Sequence, residues 1–146
     1  MLIRPLAATE PELTAETEQV VALWEACGLT RPWNDPRKDI ARKLRVQPEL
    51  FLVGVDAAQD RIVATAMAGY DGHRGWVYYV AVDPALQGGG HGAAMMAEAE
   101  RLLLELGCPK VNVQIRSGND RVIGFYERLD YAPDGALGFG KRLIAD

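Results

Sequence analysis

The sequence predicts one α/β domain with a mixed β-sheet, and three observations lead to this prediction. Segments that alternate like strands are interspersed with segments whose apolar residues recur at helical spacing. Three strand patterns in the middle of the chain are joined by short polar turns, and a long helix and another strand follow. The length of 146 residues suits a single domain, 1–146. The expected element order is β-α-α-β-β-β-α-β-α-β-β.

The first part of the chain is expected to form one strand and two helices. Residues 2–6 alternate like a strand, and an apolar helical face then ends before Gly28. Asp35 is the expected N-cap of the second helix, with Pro36 at its first position, and this helix should continue to about Val46.

The middle of the chain predicts a three-stranded meander followed by a long helix. The strands are expected at residues 50–56, 62–70 and 76–82. The helix should begin after a glycine-rich loop and end at Gly107. Its apolar stripe is expected to consist of Met95, Ala99, Leu102 and Leu106.

The last part of the chain predicts strand, helix and strand. Residues 110–115 alternate like a strand, and residues 121–129 have the pattern of a short amphipathic helix. A turn at residues 131–135 then leads into a final strand at residues 137–144, which is expected to be an edge strand.

Composition excludes several classes of protein. The net charge of −4 argues against a nucleic-acid partner, and no apolar run is long enough to span a membrane. The two cysteines, Cys27 and Cys108, are far apart and are expected to be reduced thiols of a cytoplasmic protein. The two histidines, His73 and His91, are too few and too dispersed to predict a metal site.

The glycine-rich loop carries the first functional signal, since four of the five residues at 88–92 are glycine. A P-loop would need Lys and Ser or Thr after its last glycine, but Ala93 follows Gly92. A dinucleotide-binding fingerprint would open a βαβ unit, whereas this loop follows a meander. The pattern that remains is Q-x-x-G-x-G, formed by Gln87, Gly90 and Gly92.

With this motif and the order of its elements, the chain resembles the GNAT superfamily of acetyl-CoA-dependent N-acetyltransferases. Asn119, followed seven residues later by Tyr126, is similar to the closing helix of that superfamily. The segments LTRPWNDP, AGYDGHRG and GKRLI resemble the bacterial YpeA-type branch, which has no established substrate class. The resemblance therefore implies the acyl donor and leaves the acceptor open.

The resemblance implies that acetyl-CoA is held by the loop and by the strand before it. Loop N–H groups would bind the pyrophosphate at a helix N-terminus, and strand backbone would pair with the pantetheine arm. Gly89 stands where many relatives carry Arg or Lys, so backbone groups should hold the phosphates. The residues expected to contact acetyl-CoA are Val80, Ala81, Val82, Gln87, Gly88, Gly89, Gly90, His91, Gly92, Ala93 and Asn119.

Tyr126 is the expected general acid, because a protonated phenol can give its proton to the departing thiolate. The alternative is a core tyrosine beside Phe125. Asn119 could hold the cofactor arm or cap the helix, and His91 could approach a phosphate or be an exposed first-turn residue.

No general base is assigned. In the ribosomal-protein branch of the superfamily a glutamate stands five residues before the motif Asn, whereas this chain has Gln114. Asp71 and His73 are candidates, although both lie in what reads as an exposed hairpin turn. A water relay is the other alternative.

The resemblance implies that the acceptor contacts the connector between the first two helices, and Tyr78 is a further expected contact. Arg31 could attract an acidic acceptor, and Trp33 could present an apolar face or cover the core. Asp130 stands at a position where glycine is usual, and positive φ is expected there.

The predicted function is transfer of acetyl from acetyl-CoA to a primary amine of a small molecule or peptide. Two alternatives remain: a protein N-terminal acetyltransferase of the ribosomal-protein type, and a catalytically silent acyl-CoA-binding regulator. An interaction module that binds no CoA is a further possibility. Pairing of edge strands could also produce a homodimer.

Overall fold

A five-stranded sheet with helices on both faces forms the frame of the computed structural model, which describes residues 1–146. The strands are β1 (Leu2–Pro5), β2 (Phe51–Asp56), β3 (Arg61–Tyr70), β4 (Gly75–Val82) and β5 (Val111–Val113). The helices are α1 (Glu12–Ala26), α2 (Pro36–Lys43), α3 (His91–Glu105) and α4 (Asp120–Glu127). No helix is long and apolar enough to cross a membrane.

The strands lie in the order β1-β2-β3-β4-β5, and only the last pair is parallel. β5 pairs with β4 at Gly75–Val77 alone. The remaining residues of β4, 78–82, therefore have a neighbouring strand only on the β3 side. An opening therefore lies between this part of β4 and the chain after β5.

The two faces of the sheet bury separate apolar clusters. α3 packs Met95, Met96 and Leu103 onto one face, together with Leu52 of β2. α1 and α2 cover the opposite face, where Trp24 is fully buried among a second group of apolar residues that includes Val20, Phe51 and Ile40. β2 is buried on both sides because its successive side chains enter the two clusters in turn.

The predicted fold class is confirmed, and the element order is confirmed as far as α4. Asp35 is the N-cap of α2 and accepts a hydrogen bond from the Arg37 N–H at 2.9 Å. α2 ends at Lys43, about one turn earlier than expected. Asp130 has a φ of 67°, as its place after the last helix predicted.

The apolar stripe of α3 was predicted partly wrongly. Met95 and Ala99 are buried as expected, whereas Leu106 is 48% exposed. Met96 and Leu103 complete the buried face instead. The buried residues of α3 recur at spacings of three, four and seven, so they lie on the side of the helix that faces the sheet. Leu106 follows the last residue of α3 and lies outside this buried face.

The expected strands after α4 do not form. Residues 132–146 contain no strand, and Leu137, Phe139 and Leu143 are each more than 80% exposed. β5 is only three residues long, and no residue of 137–144 pairs with its outer edge. Gly138 and Gly140 also leave one face of the first half of that segment without side chains, which weakens a strand.

The chain after α4 is instead attached to α2 through Asp146. Its carboxylate bonds the Arg42 guanidinium at 2.5 Å and accepts a hydrogen bond from the Asp35 N–H at 2.9 Å. The side chain of Asp146 is almost fully covered. The Arg42 bond and the Asp35 N–H together lower the pKa of the Asp146 carboxyl to about 2.

This attachment predicts an acid-dependent loss of stability. The pKa of an unfolded Asp is about 3.9, so the Asp146 carboxylate stabilises the fold fully above that pH, and its contribution is lost as the pH falls towards about 2. Asp146→Asn should lower the urea midpoint at pH 6 and have a much smaller effect near pH 2. Asp60→Asn, at an exposed carboxylate without an ion pair, is the control. An Asp146→Asn effect of equal size at both pH values would contradict the attachment.

Candidate active site

The glycine-rich loop connects β4 to α3 through backbone conformations that favour glycine. Gly88 and Gly90 have φ values of 83° and 87°, and Gly90 is the N-cap of α3. The backbone N–H groups of residues 88–93 donate to no carbonyl of the protein. They lie at the start of a 15-residue helix, where the helix dipole favours an anion.

Close packing holds the loop against α4. A Cβ at Gly92 would lie 3.1 Å from the Phe125 ring, so only glycine allows this approach without displacement. Gln87 donates to the Val82 carbonyl at 3.1 Å and accepts from the Arg121 guanidinium at 2.8 Å. The first motif residue therefore ties together the end of β4, the loop and the start of α4.

The expected cofactor strand, residues 80–82, lies where β4 has lost its parallel neighbour. Val80 and Val82 pack towards the α3 cluster, and Ala81 packs towards the α1 cluster. The Val82 carbonyl also accepts a bond from the Cys27 thiol at 3.2 Å. Residues 80–82 thus line the opening between β4 and the chain after β5, directly before the loop.

Tyr126 lies in α4 beside the loop and is 7% exposed. Its ring contacts Phe125 and Tyr131 edge to face, with centroids 4.9 and 5.6 Å away. Burial raises the pKa of the Tyr126 phenol to about 12. The Tyr126 hydroxyl has no hydrogen-bond partner in the protein. Every fully buried side-chain nitrogen or oxygen atom of the protein has such a partner, so the Tyr126 hydroxyl is not fully buried.

Asn119 and His91 lie at the N-termini of α4 and α3, respectively. The Asn119 side chain caps α4 by accepting a bond from the Val122 N–H at 3.4 Å. His91 is the first residue of α3 and is partly exposed. Asn119 has the capping role that was one of its two alternatives.

A β-bulge in β4 brings Tyr78 and Tyr79 onto the same side of the sheet. Met67 pairs with Tyr78 and Thr65 with Ala81, so β4 contains one extra residue between these pairs. Tyr79 has a φ of 52° at this point. The Thr65 hydroxyl stabilises the bulge by donating to the Tyr79 carbonyl at 2.8 Å.

Tyr79 connects the bulge to α2. Its ring stacks on Trp24 with a centroid distance of 3.7 Å, and its hydroxyl donates to the Asp39 carboxylate at 2.7 Å. The Asn34 side chain donates to the same carboxylate oxygen, and Arg42 lies 3.3 Å from the other. Burial and the bond to Asp39 raise the pKa of the Tyr79 phenol, so it stays protonated at neutral pH.

A cavity of about 370 Å³ opens at this bulge. Tyr78, Tyr79 and Met67 form its sheet side, α2 contributes Asp39, Arg42 and Lys43, and Val46 lines it from the segment after α2. Of these lining residues the sequence singled out Tyr78 as an acceptor contact and gave no signal for Asp39 or Lys43. Both belong to the polar stripe of an ordinary amphipathic helix, and nothing in the sequence distinguishes them from solvated charges.

The other expected acceptor residues lie elsewhere. Trp33 is 55% exposed and lines a second cavity of about 550 Å³ with residues 140–144, and Arg42 lies between the two cavities. The Arg31 guanidinium is bound to the carbonyls of Gly28 and Thr30, at 2.7 and 2.8 Å. The structure therefore separates Arg31 and Trp33 from Tyr78.

Asp71 and His73 form an exposed turn between β3 and β4. The Asp71 carboxylate accepts the N–H groups of His73 and Arg74, both at 2.8 Å, and these bonds lower its pKa. A carboxylate used in this way stabilises the hairpin. This is the simple turn that was the alternative to a catalytic role.

Comparison with known proteins places the chain in a family. The profile of the Acetyltransferase (GNAT) family matches residues 17–131. An acetyltransferase of Yersinia enterocolitica is 49% identical over 90% of this chain and 92% of its own length. An N-acetyltransferase of Yersinia pestis is 50% identical over 88% and 90%. The chain belongs to the GNAT family and is an acetyltransferase.

Solved structures show the same fold. An aminoglycoside acetyltransferase from a soil metagenome, in complex with trehalose, has a TM-score of 0.71 at 22% identity and covers 98% of this chain and 96% of its own. A chain of the NatC complex bound to Gag peptide and CoA has a TM-score of 0.74 at 18% identity, over 88% and 82%. The predicted family is thus confirmed, while the YpeA-type branch stays a prediction.

Proposed function

We propose that residues 1–146 act as one N-acetyltransferase domain that moves acetyl from acetyl-CoA to a primary amine. The observation that carries the proposal is the glycine-rich loop, whose N–H groups are free at the start of α3. Beside it, β4 lacks a neighbouring strand at residues 78–82. An anionic pyrophosphate and an amide-bearing arm fit these two features.

Acetyl-CoA would be held mainly by backbone. The N–H groups of residues 88–93 would bind the pyrophosphate, with Gln87 holding the loop to β4. The free edge at Val80, Ala81 and Val82 would pair with the amides of the pantetheine arm. Asn119 would act indirectly, because it caps the helix that carries Tyr126.

Tyr126 would serve as the general acid. Acetyl-CoA supplies the acetyl group as a thioester, whose C–S bond breaks while the amine forms the new N–C bond. The Tyr126 hydroxyl gives a proton to the sulfur and regains one from water, and the amine releases one proton. Burial keeps the pKa of this phenol at about 12, so the acid form is available at neutral pH.

The amine would enter the cavity beside Tyr78 and Tyr79. Asp39 is the carboxylate that lines this cavity, and its Tyr79 and Asn34 bonds fix its orientation. A primary ammonium can bind to such a carboxylate before it loses its proton to water. Gln114 is exposed, and its amide lies close to Gly138. A glutamine cannot take the base role of the ribosomal-protein type, which favours the general amine acceptor.

The remaining expectations concern location and assembly. Cys27 and Cys108 are free thiols, which supports a reducing, cytoplasmic location. The exposed apolar residues of the segment 137–144 support a homodimer, since large exposed apolar groups are common at interfaces. Both stay predictions.

A calorimetric titration with acetyl-CoA, followed by addition of an amine panel to the same sample, tests the proposed function. We expect saturable binding and release of free thiol when a suitable amine is added. Binding without thiol release by any amine would favour the silent regulator. Absence of binding would contradict the assignment of the loop and support an interaction module.

A further inference from the structure

Lys43 is a half-buried cation at the acceptor cavity. Its ammonium forms no ion pair, and its one hydrogen bond goes to the Val46 carbonyl at 2.9 Å. Burial lowers the pKa of this ammonium, and the charge of Glu49 opposes that shift. Tyr78 and Met67 line the same cavity. A cation in this position favours an anionic ligand group.

Asp39 stands four residues before Lys43 on α2, a spacing at which opposite charges usually pair. Here the Asp39 carboxylate is engaged by Tyr79, Asn34 and Arg42. Arg42 is in turn bound to Asp146. Arg42 therefore bridges the two acids, whereas the Lys43 ammonium lines the cavity with no carboxylate at ion-pair distance.

The spacing of the charges restricts the ligand. The cavity, about 370 Å³ in volume, is open to solvent, so the positions of its charged groups define the ligand more than its volume does. The Asp39 carboxylate and the Lys43 ammonium lie about one helical turn, or about 6 Å, apart along α2. A compact ligand that carries both a positive and a negative group can contact both of them.

We infer that the acceptor is a small amine that also carries a carboxylate or phosphate, and that Lys43 binds this anionic group. The inference rests on the proposed acetyl transfer and names its substrate class. Lys43 is then a specificity-determining residue: its contact with the acceptor discriminates against neutral and polycationic amines. Asp39 marks the end of the cavity where the amine binds.

The alternative role of Lys43 is structural, as a cap for the carbonyl of Val46 after α2. A purely structural role would change stability and leave the choice of amine unaffected. The experiment therefore compares matched amines in matched variants. Lys43→Gln removes the charge, Lys43→Arg retains it, and Lys38→Gln removes an exposed charge from the same helix outside the cavity.

Thiol release is measured with glycine and glycinamide, leucine and leucinamide, and O-phosphoethanolamine and ethanolamine. For the anionic member of a pair we expect a kcat/KM higher by roughly tenfold or more, since a hydrogen bond to a charged group has an effect of this size. The preference should be largely lost in Lys43→Gln through an increase in KM, and kept in Lys43→Arg and Lys38→Gln. The carboxylate and phosphate pairs distinguish the two anions.

Calorimetric titration of the same amines into the CoA-bound protein separates this inference from the proposed function. Selective binding of anionic amines that depends on Lys43 supports the inference even if no thiol is released, in which case acetyl transfer fails. Thiol release without a preference, or with a preference that persists in Lys43→Gln, overturns the inference and leaves acetyl transfer intact. Lack of selective binding in both measurements also overturns it.

Discussion

Tyr126→Phe is expected to lower kcat at least about tenfold, a minimum set below the roughly 10²–10⁴-fold that a positioned general acid usually contributes. The ring stays in place against Phe125 and Tyr131, because these contacts involve only its faces and edges. The hydroxyl has no hydrogen-bond partner in the protein, so its removal leaves no buried group unsatisfied. The Kd for acetyl-CoA, measured by calorimetry, should therefore change by less than about twofold.

Tyr131→Phe provides the matched control. This neighbouring phenol donates to the Glu100 carboxylate at 2.8 Å and stands on the same side of the α3 cluster. Its loss should reduce stability slightly and leave kcat nearly unchanged. Equal kcat values for Tyr126→Phe and the unmodified protein would remove Tyr126 from the mechanism. A parallel loss in both variants would indicate a packing role for both tyrosines.

Gly90→Ala is expected to weaken acetyl-CoA binding by roughly tenfold or more. At a φ of 87° an L residue is strained by about 1–2 kcal/mol, and relief of this strain would turn the N–H groups of the loop away from a common centre. A Cβ at Gly90 meets no atom within 4 Å, so the expected effect does not arise from a clash. Calorimetric titration with acetyl-CoA gives the affinity.

Gly72→Ala separates backbone strain from ligand binding. Gly72 has a φ of 89° and also has no neighbour within 4 Å of a Cβ, but it lies in the β3–β4 turn. The two variants should lose similar amounts of stability in urea, and only Gly90→Ala should lose affinity for acetyl-CoA. Equal affinity in the two variants would show that the conformation of Gly90 has no role in binding.

The glycine-rich loop and α4 could be predicted from sequence because their signals are local. Gly88 and Gly90 have positive φ values, which favour glycine, and the Phe125 ring leaves no room for a side chain at Gly92 without displacement. Because each of these positions favours glycine, the preference is visible in the sequence as glycines at a fixed spacing. Tyr126 was singled out because the Asn119–Tyr126 pair resembles the closing helix of the superfamily. Residues 137–144 were predicted wrongly, since a strand requires a partner edge and alternation alone does not supply one.

The cavity that is proposed to bind the acceptor could not be predicted in the same way. It depends on a bulge that turns Tyr79 towards α2, and on an attachment between Arg42 and Asp146 across more than a hundred residues. Asp39 and Lys43 read as solvated charges of a helix until the sheet is placed against them. No short pattern in the chain encodes either contact.

The sequence by itself determined the fold class, the family and the position of the loop that is proposed to hold acetyl-CoA. The fold class and the position of the loop follow from periodicity, turn residues and backbone conformations, which act over a few residues at a time. The family follows from the resemblance of two short motifs and of the element order to a known superfamily. Only the tertiary structure decided which charges share a cavity and which stay paired, leaving Lys43 without a carboxylate. Which charged groups pair depends on the distance between them in space and on their burial, and the order of the residues does not give either quantity directly.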